Sequence, residues 1–243
     1  MAKFGLIGKN ISYSFSKKYF TQKFNNEHKK HTYHNFDIAT IEAFPSLLKE
    51  NPDLKGLNVT IPYKEAIIPF LDDIEKETQT IGAVNTIKFL SNGRLIGYNT
   101  DHYGFAKSLT PFLPLKEKTA LILGTGGASK AIYYALKTMG FKILFVSRTK
   151  KENTITYSEL TPDILLKNFL IVNTTPLGTY PNIEEAPDIP YQAITSGHLL
   201  FDLTYNPEQT TFMKLGLLKQ ASVSNGLKML EFQAQKAYEI WKK

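Results

Sequence analysis

The chain has 243 residues, 42% of them hydrophobic, and its 29 lysines and arginines outnumber its 22 aspartates and glutamates, which gives a formal net charge of +7. Because it has no cysteine and its five histidines lack the spacing of metal ligands, disulfides, thiolate catalysis and cysteine or histidine metal sites are not expected. It has no signal-peptide pattern, no apolar run of about eighteen residues and no nucleic-acid-binding motif, so we expect a cytoplasmic protein that binds anionic small molecules and neither membrane nor nucleic acid.

The first polar group of interest follows a predicted strand at residues 3–8. Ser14 and Ser16 are two residues apart, so in an extended loop both hydroxyls face the same side and can hold a carboxylate. Alternatively, they cap the predicted helix at 17–27, which is a common role of serine, and the spacing favours neither. Helical and strand-like segments alternate after this point, which predicts an α/β fold with a parallel sheet.

Residues 57–61 alternate apolar and polar side chains, as a strand with one polar face does. The pattern directs Asn58 and Thr60 to one side near the carboxyl end of the strand, where open α/β sheets bind ligands. Lys64 follows at the start of the next predicted helix, where Pro62 stiffens the entry. The alternative for Lys64 is a solvated surface lysine.

Asn85 lies at a third polar strand end, and Asn92-Gly93 beyond it predicts a β-hairpin. Asp101 stands where a further helix begins. It is either the N-cap of that helix or a ligand-binding side chain, and the sequence leaves both open. A domain boundary is predicted between residues 101 and 116.

The segment TALILGTGGAS, residues 119–129, combines a buried strand, a glycine turn and the start of a helix. Glycines let the backbone approach a ligand and the helix amino terminus attracts phosphate, so the segment predicts a pyrophosphate site. An ordinary strand-to-helix turn is the alternative.

The next strand ends where an NAD-binding unit would place an acidic residue. This chain has Ser147, Arg148, Thr149, Lys150 and Lys151 there. Cationic and hydroxyl groups suit a ribose 2′-phosphate, so the segment favours NADP over NAD. A solvated basic turn is the alternative.

The last part of the chain adds a turn at Thr174 that can close over the dinucleotide, and a terminal helix at 226–241. Gly226, Met229 and Gln233 form one stripe of this helix, three and four residues apart. It lies beside an apolar core stripe, and core packing is the default interpretation of Met229.

Eight motifs, in this order along nearly the whole chain, resemble the shikimate dehydrogenase family. They are SFS at 14–16, NVTIPYK at 58–64, GAVNT at 82–86, NTD at 99–101, the Gly124 turn, NTTPLG at 173–178, DLTYNP at 202–207 and GLKML at 226–230. The resemblance implies two α/β domains with a cleft between them. A substrate domain at 1–101 is completed by the terminal helix at 226–243, and a Rossmann-like NADP-binding domain spans 102–225.

The resemblance also implies an activity, the NADPH-dependent reversible reduction of 3-dehydroshikimate to shikimate, a step toward chorismate and the aromatic amino acids. The protein would be a monomer or homodimer. Lys64 becomes the catalytic residue, because the ketone oxygen gains negative charge during hydride transfer and needs a positioned acid. Asp101 would orient Lys64 and a substrate hydroxyl.

Further site residues follow from the same resemblance. The implied substrate-binding residues are Ser14, Ser16, Asn58, Thr60, Asn85, Tyr205 and Gln233. The implied cofactor-binding residues are Gly124, Thr125, Gly126, Gly127, Ala128, Ser129, Ser147, Arg148, Thr149, Thr174, Leu203, Gly226 and Met229. Ser147 replaces an asparagine that is usual in the family.

Three other functions compete with this one. A quinate or quinate/shikimate dehydrogenase shares the scaffold, but we expect an acidic residue and NAD use there. An S-adenosylmethionine methyltransferase would also want an acidic ribose ligand. A non-catalytic NADP-binding regulator is the third, and the presence of Lys64 and Asp101 disfavours it.

Overall fold

A computed structural model describes residues 1–12 and 14–243 of the chain. Its strands are β1 (Lys3–Gly8), β2 (Thr32–Asp37), β3 (Leu54–Val59), β4 (Asp73–Ile74), β5 (Thr86–Phe89), β6 (Leu95–Tyr98), β7 (Thr119–Leu123), β8 (Lys142–Ser147), β9 (Thr154–Thr156), β10 (Leu170–Asn173), β11 (Leu199–Asp202) and β12 (Ser222–Ser224). Its α-helices are α1 (Phe15–Asn26), α2 (Phe44–Glu50), α3 (Lys76–Ile81), α4 (Asp101–Leu109), α5 (Gly127–Thr138), α6 (Pro162–Leu166), α7 (Thr211–Leu217) and α8 (Leu227–Lys242). In the described residues, no helix combines the length and apolarity needed to cross a membrane.

The chain forms two compact units. Unit 1 comprises residues 1–103 and 233–243, and unit 2 comprises residues 104–232. The domain boundaries predicted from the sequence, after residue 101 and before residue 226, stay a prediction. Both units are α/β, as the sequence predicts.

The sheet of unit 1 is mixed, in the order β2-β1-β3-β5-β6-β4. The first three strands are parallel, but β5 runs antiparallel to both β3 and β6. The expectation of a parallel sheet is therefore wrong for this half of the chain. The predicted hairpin accounts for the antiparallel pairing of β5 with β6, since Gly93, with φ of 85°, lets the chain reverse directly into β6.

This reversal collects polar residues at one edge of the sheet. The parallel strands β1, β2 and β3 all end at that edge. In the antiparallel register, Asn58 pairs with Thr86 and Thr86 pairs with Tyr98. The start of β5 and the end of β6 therefore lie beside the end of β3. Asn85 precedes a strand and does not end one, but it reaches the predicted edge.

An aromatic cluster packs on one face of the sheet of unit 1. Phe4, Phe20 and Tyr33 are buried in it together with Tyr238 and Trp241 from the end of α8. The indole of Trp241 also donates a hydrogen bond to the Ile87 carbonyl oxygen (3.0 Å). The last turns of the chain are thus part of the core of unit 1.

Unit 2 has an all-parallel sheet in the order β12-β11-β10-β7-β8-β9. Helices and loops cover both faces, and the residues of β10 and β11 are all buried. Such two-sided burial is why the strands are continuous apolar runs in the sequence. The chain reverses direction across the sheet between β7 and β10, the position at which folds of this type bind nucleotides.

Candidate functional site

Lys64 and Asp101 form an ion pair in unit 1. The Lys64 Nζ lies 2.7 Å from Asp101 Oδ2, and the two side chains are only 17% and 8% exposed. Lys64 is therefore not a solvated surface lysine, which was one of its two interpretations from the sequence. Because opposite charges attract more strongly away from water, the pair holds the Lys64 Nζ in one position.

Lys64 lies in a turn and not at the start of a helix, so that part of the prediction is wrong. The Tyr63 and Ile67 amides donate to the carbonyl oxygens of Thr60 and Tyr63 (both 2.9 Å), and the chain then enters a single 3₁₀ turn, Ile68–Phe70. Pro69 contributes to the difference, because it has no N–H to bond to the carbonyl oxygen four residues earlier, as an α-helix would require. The buried Tyr63 anchors the turn, since its hydroxyl donates to the Ile38 carbonyl oxygen (2.8 Å).

Asp101 is free to meet Lys64 because another residue caps the helix. The Asn99 Oδ1 accepts the backbone N–H groups of Asp101 (3.0 Å) and His102 (3.3 Å) at the start of α4. The Asn99 Nδ2 donates to the Ala83 carbonyl oxygen (2.8 Å), which holds the amide in place. The Asp101 carboxylate thus sits at a helix amino terminus, which favours negative charge.

A buried amide network lies at the same edge of the sheet. The Asn58 Nδ2 donates to the Asn85 carbonyl oxygen and to Thr86 Oγ1 (both 3.2 Å). The Asn85 Oδ1 accepts from the Thr100 amide (2.7 Å), and its Nδ2 donates to Thr100 Oγ1 (3.1 Å). Gln233 Oε1 accepts from the Asn85 Nδ2 at 3.5 Å. Three predicted substrate residues, 58, 85 and 233, are therefore joined in one network.

Both serines lie at the start of α1. Ser14 Oγ caps α1, accepting the Ser16 backbone N–H (3.1 Å), so the capping interpretation holds for Ser14. This leaves its own hydroxyl proton available to a ligand.

Thr60 directly follows β3 and is half-buried. Tyr205 lies in unit 2 and is also half-buried, and its predicted role stays a prediction.

In unit 2 the predicted glycine turn follows β7 and leads into α5. Gly124 has a φ of 104°, and a side chain there would press against Thr174 Oγ1 (2.9 Å) and Thr175 Cγ2 (3.1 Å) from the loop after β10. Thr174 in turn donates to the Leu123 carbonyl oxygen (2.7 Å). Glycine is required here, and the twelve-residue α5 presents its amino terminus at the reversal point of the sheet. The arrangement fits the pyrophosphate of a dinucleotide.

The basic turn, residues 147–151, follows the neighbouring strand β8. Arg148 is exposed, whereas Lys150 Nζ is held by both carboxylate oxygens of Glu159 (2.7 and 2.8 Å). Lys151 Nζ donates to Thr125 Oγ1 of the glycine turn (2.9 Å). Lys151 belongs to the basic run that favours NADP in the sequence, although it is not among the cofactor-binding residues implied by the resemblance. Arg148 and Lys151 fit a ribose 2′-phosphate.

Four predicted cofactor residues also have structural roles. Ser129 is buried and donates to the Gly126 carbonyl oxygen (2.6 Å), and buried Ser147 accepts from the Thr149 amide (3.4 Å). Met229 is buried in a core cluster of unit 2, against which Leu203 packs. Met229 therefore packs in the core, which confirms its default interpretation from the sequence. Cofactor contacts by these residues stay predictions.

Gly226 precedes α8 at a point of close backbone approach. A methyl group there would collide with the Leu203 carbonyl group, whereas one on Gly126, with φ of −85°, would meet nothing within 4 Å. We expect Gly226→Ala to lower the free energy of unfolding by about 2–3 kcal/mol and Gly126→Ala to change it by less than about 0.5 kcal/mol. Urea denaturation measures both, and equal stability of the two variants would contradict this packing.

Asp202, at the end of β11, is a residue to which sequence reasoning gave no role. Its carboxylate accepts from Thr210 Oγ1 (2.7 Å), the Thr204 amide (2.9 Å) and Asn173 Nδ2 (3.1 Å). Burial raises the pKa of Asp202, and the hydrogen bonds oppose that shift only in part. Asn173 Oδ1 in turn accepts from the Thr175 amide (3.0 Å). Asp202 thus supports the loop that follows β10. The sequence signal for this role was an acidic residue at the end of an apolar strand.

Comparison with known proteins assigns the family. Residues 6–87 match the family model for the shikimate dehydrogenase substrate binding domain. The chain is 37% identical to the shikimate dehydrogenase (NADP(+)) of Caldicellulosiruptor saccharolyticus, across 99% of this chain and 92% of that protein. The chain belongs to the shikimate dehydrogenase family.

Solved structures of shikimate dehydrogenases have the same fold. The enzyme from Aquifex aeolicus is 35% identical, with a TM-score of 0.88 over 99% of this chain and 92% of that one. The shikimate 5-dehydrogenase of Thermus thermophilus, solved in complex with NADP(H) and shikimate, is 31% identical, with a TM-score of 0.88 over 99% and 93% of the two chains. The matches cover both units, so both the sheet with the Lys64–Asp101 pair and the all-parallel sheet belong to the family fold.

Proposed function

We propose that Lys64 and Asp101 carry the chemistry of an NADP-dependent shikimate dehydrogenase in this chain. The protein is an oxidoreductase that interconverts 3-dehydroshikimate and shikimate, a step of the shikimate pathway toward chorismate and the aromatic amino acids, and its cofactor is NADP. The single observation that carries the proposal for the two residues is their sheltered ion pair, 2.7 Å long, at the polar edge of unit 1.

Unit 1 would bind the substrate. Ser14 and Ser16 offer hydroxyl groups to the carboxylate of shikimate. The amide network and Thr60 offer donors and acceptors to the ring hydroxyls, and we also propose Tyr205 as a substrate-binding residue. Because buried polar groups that lose a partner cost free energy, a fixed network of this kind discriminates strongly between substrates that satisfy it and those that do not.

Lys64 would hold the proton that the reaction requires. When bound, NADPH supplies the hydride to the substrate carbon. The Lys64 ammonium would donate a proton to the oxygen of that carbon, and in the reverse direction the amine would take it back. Asp101 would keep the ammonium group aimed at this oxygen and accept a hydrogen bond from a neighbouring substrate hydroxyl.

Unit 2 would bind NADP. The backbone N–H groups of the glycine turn and the amino terminus of α5 would hold the pyrophosphate. Arg148 and Thr149 would bind the 2′-phosphate, with Lys151 beside them. From the sequence, we propose that the protein is a monomer or homodimer in the cytoplasm.

A cofactor-oxidation assay tests the function directly. Purified protein is given 3-dehydroshikimate with NADPH or with NADH, and absorbance of the reduced nicotinamide is followed. Reactions with 3-dehydroquinate in place of 3-dehydroshikimate are the matched controls. We expect rapid oxidation of NADPH with 3-dehydroshikimate, and much slower oxidation in every other combination.

Two results would contradict the proposal. Faster turnover of 3-dehydroquinate with NADH would indicate a quinate dehydrogenase. Folded protein that binds NADPH but oxidises it with neither substrate would indicate a binding protein without this activity.

A further inference from the structure

Tyr33, in β2, is a buried residue that neither the motifs nor the proposed function includes. Its ring stacks on Phe20, with centroids 4.6 Å apart and an angle of 13° between the planes. Its side chain belongs to the aromatic cluster of unit 1, and the residue is only 4% exposed. The hydroxyl group nevertheless reaches the polar edge of the sheet, where it donates a hydrogen bond to Asn58 Oδ1 (2.8 Å).

This hydrogen bond completes the set around the Asn58 amide. Both N–H groups of Asn58 are directed at acceptors, the Asn85 carbonyl oxygen and Thr86 Oγ1. Because a carbonyl oxygen only accepts, the Nδ2 must face Asn85, and Oδ1 must face Tyr33. The donor on Tyr33 is what satisfies that oxygen.

Burial also keeps the phenol group of Tyr33 protonated. It raises the pKa of Tyr33 well above its ordinary value, and the nearby Ser16 side chain lowers it by a smaller amount. The phenol therefore remains a donor throughout the neutral range, and its one proton is directed at Asn58 Oδ1.

We infer that Tyr33 is a positioning residue of the substrate site, whose hydroxyl holds the Asn58 amide on β3. The inference rests on the proposed function, in which Asn58 serves a ring hydroxyl of the substrate. Tyr33 fixes the direction of Asn58 Oδ1. Without the Tyr33 hydroxyl, Asn58 Oδ1 loses this donor, and the two hydrogen bonds of Nδ2 hold the amide less firmly in the geometry that shikimate needs.

Tyr33→Phe tests this role, since it removes one oxygen atom and keeps the ring that packs on Phe20. We expect the KM for shikimate to rise about tenfold, the change that corresponds to about 1.4 kcal/mol, the size of one hydrogen bond. We expect kcat to change less than about threefold and the Kd for NADPH to stay the same, because Tyr33 touches neither Lys64 nor unit 2 residues in this role.

Tyr238→Phe is the matched control. Tyr238 is buried in the same aromatic cluster, but its hydroxyl interacts with Glu27 after the end of α1. The same atom is lost from the same core, so a general loosening of that core would affect both variants alike. We expect wild-type KM and kcat for Y238F.

A double-mutant cycle supplies a second readout. In an Asn58→Ala background, Y33F should raise the KM for shikimate by less than about twofold, because the group through which Tyr33 acts is gone. Should Y33F fail to fold, 3-fluorotyrosine at position 33 keeps the ring and makes the phenol a stronger donor. It should alter the KM for shikimate, whereas 3-fluorotyrosine at position 238 should not.

Several outcomes would overturn the inference. The first is a KM for shikimate in Y33F that equals the KM of the wild type or of Y238F. The second is an equally large effect of Y33F on this KM in the Asn58→Ala background. The third is an unchanged KM for shikimate with 3-fluorotyrosine at position 33. A wild-type protein that does not oxidise shikimate at all would instead contradict the proposed function, so the two failures are distinguishable.

Discussion

Replacing Lys64 by alanine is expected to lower kcat by about 10³-fold, within the range that a positioned acid or base contributes. The Lys64 ammonium is the cationic partner of Asp101, and the variant removes the group that we propose delivers a proton to the substrate oxygen. The affinity for NADPH should change less than about twofold, since Lys64 belongs to unit 1 and the glycine turn to unit 2. Stopped-flow turnover and equilibrium titration with NADPH measure the two quantities.

Lys23→Ala is the control for removing a paired lysine from unit 1. Lys23 forms an ion pair with Glu27 (2.6 Å) one turn away on the outside of α1. We expect kcat within about twofold of wild type, because exposed pairs of this type contribute little. A Lys64→Ala protein that keeps wild-type kcat, or that loses NADPH binding as strongly as turnover, would show that Lys64 has another role.

Arg148→Ala is expected to raise the KM for NADPH about 30-fold and the KM for NADH less than about twofold. Loss of a charge-assisted contact with phosphate costs about 2 kcal/mol, which corresponds to a factor of about 30. NADH lacks the 2′-phosphate, so it does not use this contact. Steady-state kinetics with both cofactors give the ratio directly.

Lys150→Ala is the control on the same turn. The Lys150 ammonium group is already bound by both oxygens of Glu159. We therefore expect it to contribute little to the 2′-phosphate, and the KM for NADPH should rise less than about threefold. Equal weakening of NADPH and NADH by Arg148→Ala would exclude a 2′-phosphate role for Arg148.

Much of the fold follows from short-range patterns. The strand at Thr119–Leu123, the helix after it and the hairpin at Asn92-Gly93 are confirmed, because apolar periodicity and glycine turns act over a few residues. The family and the NADP dependence, predicted from the order of the motifs and from the basic turn, are confirmed by the similarity to NADP-dependent shikimate dehydrogenases.

Other features depend on residues that are far apart in the sequence. Lys64 and Asp101 are 37 residues apart, and Asn85 and Gln233 are 148 apart. Motif resemblance suggested that these residues act together, but the pattern around each of them is equally typical of a surface lysine, a helix cap or a strand end. Only the fold of unit 1 joins them, by placing the start of β5 and the end of β6 beside the end of β3.

The sequence by itself determined the α/β class, the family and the cofactor, and it predicted the residues of the site. The tertiary structure decided that Asn99 caps α4 and leaves Asp101 to Lys64, that Lys64 lies in a turn, and that Tyr33 holds Asn58. Capping, burial and pairing depend on which polar groups compete for the same partner in space. That competition is settled only when the strands have paired and the core has closed, because only then do groups from distant segments meet away from water.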